Sequence, residues 1–175
     1  MAPIKIRYAD LQDVNLIKNI SWQTFFDTFH LHNTKENMEM FLAQNFNEEA
    51  IKKELKHAKN TFMIAYTKTQ VLGFAKLSEI NEPRELGTTK HIEVSRLYAS
   101  KEKIGSGVGK ALMHECIELA KQKIKEVIWL GVWEHNQRAI QFYRRWGFEK
   151  FGEQTFILGK DRQNDWLMKK NLEYS

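Results

Sequence analysis

Residues 99–109 read ASKEKIGSGVG and run directly into KALMHECIELAK, residues 110–121. The second stretch places Leu112, Met113, Cys116, Ile117 and Leu119 at helical spacing, so the glycines stand where a strand hands over to a helix. Gly105, Gly107 and Gly109 let the backbone turn tightly, and several successive N–H groups can then point at one anion. The helix that follows adds its own unpaired N–H groups and the positive end of its dipole. The arrangement suits a pyrophosphate held by main chain. Three alternating glycines also fit a plain flexible loop, so the rest of the chain has to decide.

Upstream, Ile4–Tyr8 alternates as a first strand, and Asp10 precedes an amphipathic run through Leu11, Val14, Ile17, Ile20 and Trp22 that reads as helix one. Asn33 and Glu36 have the spacing of a capping box for a second helix through Met38, Phe41 and Leu42. Asn47 caps a third across Ile51 and Leu55. Residues 61–67 and 70–77 form a hairpin, residues 81–91 a loop, and Ile92–Ala99 the strand that feeds the glycines. Downstream, EVIWLGVW (126–133) is a continuous apolar run, as a central strand buried on both faces requires. Asn136 opens a helix through Ile140, Phe142 and Tyr143 that Gly147 ends. Phe148–Leu158 and Asp165–Leu172 close the chain as an antiparallel pair. No repeat or linker interrupts this order, so residues 1–175 are expected to form one mixed α/β domain.

Composition narrows the function. The 175 residues are 42% hydrophobic and 12% aromatic, enough for a sizeable core. The N-terminus lacks a signal-peptide apolar stretch, and no run approaches the ~18 residues that span a bilayer; a soluble, cytoplasmic protein is expected. Cys116 is the single cysteine, which excludes an internal disulfide and a cysteine-based metal cluster. The net charge of +5 raises nucleic acid as a partner, but the lysines are scattered among acids and form no basic arm. No His/Asp/Glu spacing suggests a metal site.

Three motifs together resemble the GNAT (Gcn5-related N-acetyltransferase) family over essentially the whole chain. IEVSRLYA (92–99) looks like its fourth strand and GSGVGK (105–110) like its acetyl-CoA pyrophosphate loop. NQRAIQFYRRWGF (136–148) matches the pattern NxxAxxFYxxxGF. TFFDTF (24–29), TKENM (34–38), IWLGVWE (128–134) and FILGKD (156–161) further resemble the PaiA-type spermidine/spermine acetyltransferases. One position departs: Ile104 stands where the family usually carries Gln or Arg, which removes a side-chain contact from a grip made mainly by main chain. Lys101, Lys103 or Lys110 can compensate.

The resemblance implies a mixed, mostly antiparallel sheet of about seven strands flanked by helices and splayed between strands four and five. It implies acetyl-CoA bound by Leu97, Tyr98 and Ala99 along the open strand, by Gly105, Ser106, Gly107, Val108, Gly109 and Lys110 at the loop, and by Asn136, Ala139 and Tyr143. Tyr143 is the expected general acid. An alkyl amine with pKa about 10.4 is only ~0.1% neutral near pH 7.4, so a base is useful. Glu93 is the candidate, with pairing to Arg96 or a lysine as the alternative reading. Polyamine binding needs carboxylates and aromatic faces: Trp22, Phe26 and Asp27 on helix one and Glu79 are the candidates, though helical aromatics also read as core and a loop glutamate as solvated. The implied activity is acetyl transfer to a primary amine, with a polyamine foremost. Acetylation of protein N-termini or lysines is an alternative, and so is an acetyl-CoA-responsive regulator. A homodimer is also within what the resemblance implies.

Overall fold

The computed structural model describes residues 2–175. Seven strands form one sheet in the order β1-β2-β3-β4-β5-β7-β6. They are β1 (Lys5–Tyr8), β2 (Asn60–Tyr66), β3 (Val71–Ser78), β4 (His91–Ala99), β5 (Val127–Trp133), β6 (Glu149–Leu158) and β7 (Asp161–Asn171). Every neighbouring pair is antiparallel except β4 with β5, which is parallel and connected through helix α4 (Val108–Gln122). A parallel pair needs such a crossover, and this one carries the glycine loop at its entrance.

Helices cover both faces. On one, α4 and α5 (Gln137–Arg145) pack Leu112, Met113, Cys116 and Ile140 against Ile92, Val94, Ile128 and Leu130. On the other, α1 (Val14–Phe29), α2 (Lys35–Asn45) and α3 (Glu48–Lys56) bury Ile17, Phe25, Met38 and Ile51 against Phe62, Ile64 and Phe74. Burial pushes the Cys116 thiol well above its ordinary range, which makes it an inert core group.

Three boundaries differ from the sequence reading, each for a local reason. Asp10 caps a 3-10 turn, Leu11–Asp13, in which Asp13 reaches back to the Asp10 N–H and pairs with Arg7 at 2.7 Å. The α-helix proper therefore starts at Val14 and runs on to Phe29. The cap of α2 is Thr34, not Asn33, because the Asn33 amide donates back to the Phe29 carbonyl at 3.0 Å and is already used. β7 begins at Asp161 rather than Asp165 because the β6–β7 turn is tight. Gly159 there has φ +62°, and a Cβ would meet Asn37 at 2.6 Å. That contact lets Asn37 bond the Lys160 N–H and donate to Asp161, which docks the hairpin on α2.

Candidate active site

β4 and β5 pair only at His91–Val127, Ile92–Ile128 and Glu93–Trp129. Beyond that point β4 continues to Ala99 and β5 to Trp133 without pairing to each other, so the sheet opens between its two central strands. The cause is a bulge. Lys76 of β3 faces Arg96 and Leu77 faces Val94, which leaves Ser95 without a partner and bends the strand away from β5. The bulge also resets the alternation. Glu93, Arg96 and Tyr98 come to share the face under α1–α3, while Val94, Leu97 and Ala99 turn to α4 and α5.

At the mouth of the opening stands the loop before α4. Gly105 and Gly107 have φ +86° and +92°, the left-handed region where a side chain is strained. No atom lies within 4 Å of the place a Cβ would take at either. Gly107 caps α4 without any side-chain hydrogen bond, and the first helical bond is Ala111 N–H to the Gly107 carbonyl at 2.9 Å. The Val108, Gly109 and Lys110 N–H groups thus precede the ladder and are available to an anion. Gly109 does something different from its neighbours. It is helical, and a Cβ there would sit 3.5 Å from the Phe142 ring, an ordinary contact, so this position needs no glycine for its packing of α4 against α5. The residues present fit a pyrophosphate at the loop and an extended amide-bearing chain along the open edge of β4.

Asn136 caps α5, its Oδ1 accepting from the Ala139 N–H at 3.2 Å. Tyr143, one helical turn on from Ala139, packs its ring against Phe142 and Phe148. Burial, with Tyr98 and Cys116 nearby, pushes the Tyr143 phenol well above its ordinary range and holds it protonated. Tyr98 is raised too, first by burial, and stands edge-on to Phe74.

Glu93 is buried, and its carboxylate accepts from the Asn81 amide at 2.8 Å. Desolvation raises its pKa above the ordinary carboxylate value, against the pull of Asn81, Lys76, Ser95 and Arg96. The pairing to Arg96 considered from sequence does not form, since the guanidinium grips Glu54 of α3 through two 2.9 Å bonds. Lys76 joins the same carboxylate at 2.9 Å.

The four residues proposed from sequence for the acceptor are not brought together. Trp22 and Phe26 face outward into a groove between α1 and α2, where Trp22 donates to the Phe46 carbonyl at 2.9 Å and Phe26 stacks on His30. Asp27 accepts from Gln23 on the helix surface. Glu79 is held by Lys123 and Lys125, both at 2.7 Å, beyond the closed end of the β4–β5 pair. Sequence reasoning missed Asn81, Glu54 and Asp165. None left a signal in the sequence, since Asp165 stands in a strand that also carries Asp161, Arg162, Lys169 and Lys170.

Residues 15–148 match the acetyltransferase (GNAT) family. An uncharacterized N-acetyltransferase of Lactobacillus delbrueckii subsp. lactis is 36% identical over 98% of this chain and 99% of its own. The spermine/spermidine N(1)-acetyltransferase of Bacillus subtilis is 28% identical over 52% of this chain and 60% of its own. Among solved structures, the PaiA N-acetyltransferase of Thermoplasma acidophilum in complex with coenzyme A superposes with a TM-score of 0.78, at 21% identity, over 97% of this chain and 99% of that one. The chain belongs to the GNAT acetyltransferase family and is an acetyl-CoA-dependent N-acetyltransferase. No helix among the described residues is long and apolar enough to cross a membrane.

Proposed function

We propose that the acceptor is a primary amine of a polyamine such as spermidine or spermine. The observation that carries this is the ionic character of the opening. Its α1–α3 face presents buried Glu93 together with the carboxylate-bearing end of β7, while Lys76 and Arg96, its two cations, are both engaged by Glu54. Such a surface favours an entering cation. The partial likeness to a spermine/spermidine acetyltransferase supports the same reading.

Acetyl-CoA supplies an activated acetyl thioester. Its pyrophosphate would be held by the main-chain N–H groups from Gly105 through Ser106, Gly107, Val108 and Gly109 to Lys110. Its amide-bearing arm would pair with the free edge of Leu97, Tyr98 and Ala99, whose backbone groups have no strand partner on the β5 side. The Asn136 side chain and the α5 turn at Ala139 would border the same arm. The Glu93 carboxylate takes the proton from the acceptor ammonium, directly or through water. Main-chain N–H groups just after the bulge polarise the carbonyl under attack. The Tyr143 phenol, held protonated, donates its hydrogen to the departing sulfur.

The test is CoA release, followed with a thiol-reactive dye, on spermidine, spermine, putrescine, lysine and N-terminal peptides. Saturable turnover of spermidine or spermine in preference to peptides is expected. Preference for peptides would replace the polyamine reading with a protein acceptor.

A further inference from the structure

β5 is buried along its length except at Gly131, which is part-exposed in the middle of the sheet. Alternation puts Gly131 on one face with Trp129 and Trp133. Across the neighbouring strands, Trp133, Asp165 and Gln154 stand directly opposite one another in a single row. The two polar side chains lean over the glycine: a Cβ there would lie 3.0 Å from Gln154 Nε2 and 3.5 Å from Asp165 Oδ2. The Gln154 and Asp165 side chains thus occupy the space over a glycine that is itself only part-exposed, beside the splay.

One feature marks this place as open to a cation. Asp165 forms no ion pair with any lysine, arginine or histidine among the described residues. Burial pushes its carboxyl up to about 6, with Gln154 opposing and Glu134 adding to the rise. A desolvated carboxylate beside a second one is costly until a cation arrives. In the same row the Trp133 ring, packed by Phe29, His32 and His135 at 5.3, 5.2 and 5.3 Å, stands directly opposite Asp165 on β7.

Position says which ammonium. Glu93 is on β4 and Asp165 two strands away on β7, about 10 Å laterally, and Asp165 faces Trp133, four residues on from the Trp129 that faces Glu93, which adds about 13 Å along the strands. One ammonium cannot reach both. We propose that Asp165 binds a distal ammonium of the acceptor while the reacting amine lies at Glu93, so that Asp165 selects acceptors carrying a second positive charge. This rests on the amine-acceptor reading above and adds to it the residue that sets specificity.

The experiment compares kcat and KM for spermidine and for n-propylamine, which has a reacting end but no second charge, in the wild type, Asp165→Asn and Gly131→Ala. In Asp165→Asn the ratio of kcat/KM for spermidine to that for n-propylamine is expected to fall tenfold or more, with the loss carried by KM for spermidine. Asp165→Glu recovers most of it. Gly131→Ala keeps the charge but puts a methyl 3.0 Å from Gln154 Nε2, which shifts the side chains over the glycine, and it raises KM for spermidine in the same selective way. Thermal unfolding of Asp165→Asn should be no lower than wild type, since the substitution removes a part-buried charge that meets no cation among the described residues. A specificity ratio unchanged within twofold in both Asp165→Asn and Gly131→Ala, with wild-type turnover of spermidine intact, overturns this assignment alone. A wild type that turns over neither amine overturns the polyamine reading and this assignment with it.

Discussion

Glu54→Gln is the substitution whose consequence the structure sets most directly. The Glu54 carboxylate holds Arg96 through paired 2.9 Å bonds and Lys76 at 2.9 Å, and the three side chains are only 22, 13 and 12% exposed. Arg96 also lies over the Phe46 ring at 4.7 Å, which fixes it against α3 and its approach. Removing the charge while keeping the shape leaves two cations facing each other in a largely dry site. Breaking a buried pair costs about 3–5 kcal/mol, and the residual exposure places this case near 3 kcal/mol. For a chain of this length that corresponds to a fall in Tm of about 6–12 °C. Glu54 has its pKa lowered in the fold by Arg96 and Lys76 against the opposing cost of burial, so the stability it supplies is complete above its unfolded value of 4.5 and is lost as pH falls through the depressed folded one. Lys76 is already lowered by burial and by Arg96. Without Glu54 it sheds its proton at milder alkaline pH, so the deficit is largest near neutrality and shrinks as pH rises. Thermal unfolding by circular dichroism across pH 5–10 would measure this. Replacing all three together, Glu54→Leu with Lys76→Met and Arg96→Met, should recover most of the loss. A Tm drop under about 2 °C for Glu54→Gln would refute the claim that these charges are desolvated.

Three further outcomes follow from the site. Tyr143→Phe should lower kcat at least about a hundredfold, the lower end for a lost acid–base group, with a much smaller change in KM for acetyl-CoA; unchanged kcat would reject the acid role. Gly107→Ala places a side chain at φ +92°, at a cost of about 1–2 kcal/mol. It should raise KM for acetyl-CoA and reduce the Tm gain on adding CoA, which in the wild type is about 5–10 °C at a hundredfold excess over Kd. Glu93 has its pKa raised by burial, so as a base it is ionised, and kcat/KM rises, only as pH climbs through a value above 4.5. The same shift means that Glu93 costs stability once pH exceeds its unfolded value. Glu93→Gln should therefore abolish the acidic limb of the pH–rate profile and raise Tm at neutral pH; a lower Tm with activity retained would count against the base.

Much of the fold was legible because periodicity reports burial. The apolar run 126–133 became a central strand, the stripe from Val108 to Ala120 a packed helix, and the positive-φ glycines 105 and 107 a loop at a helix entrance. What the sequence hid was contact that depends on another strand or helix. Strict alternation along IEVSRLYA puts Arg96 and Tyr98 on the same face as Ile92. The unpaired Ser95 moves them to the opposite face, and nothing in the residue types announces a bulge. Helix one was read correctly as amphipathic, but its rotation was not: Phe25 faces the core, while Trp22 and Phe26 look away from the opening. Glu79 could not be known to meet Lys123 and Lys125 until α4 had been folded back beside it. Gly131 gave no clue that the space above it would matter.

Three carboxylates then meet three fates on or under one face of the sheet, and the division is what makes a reaction possible there. Glu54 takes both neighbouring cations, Arg96 and Lys76. Had Arg96 turned to Glu93 instead, as adjacency along β4 invites, the base would have been locked in an ion pair with its pKa depressed and little tendency to accept a proton near neutrality. Because α3 supplies a stronger partner, Glu93 is left with the neutral Asn81 amide and a raised pKa, the condition under which a carboxylate takes a proton from an ammonium with least loss of driving force. Among the described residues Asp165 meets no cation, which in the reading proposed above leaves its charge to the acceptor. On this argument Glu54→Gln is more than a stability variant. Freed from Glu54, Arg96 can swing to Glu93, and the acidic limb of kcat/KM should move to lower pH as the rate plateau falls. An unmoved limb would mean that Glu54 supports the fold but does not set the base.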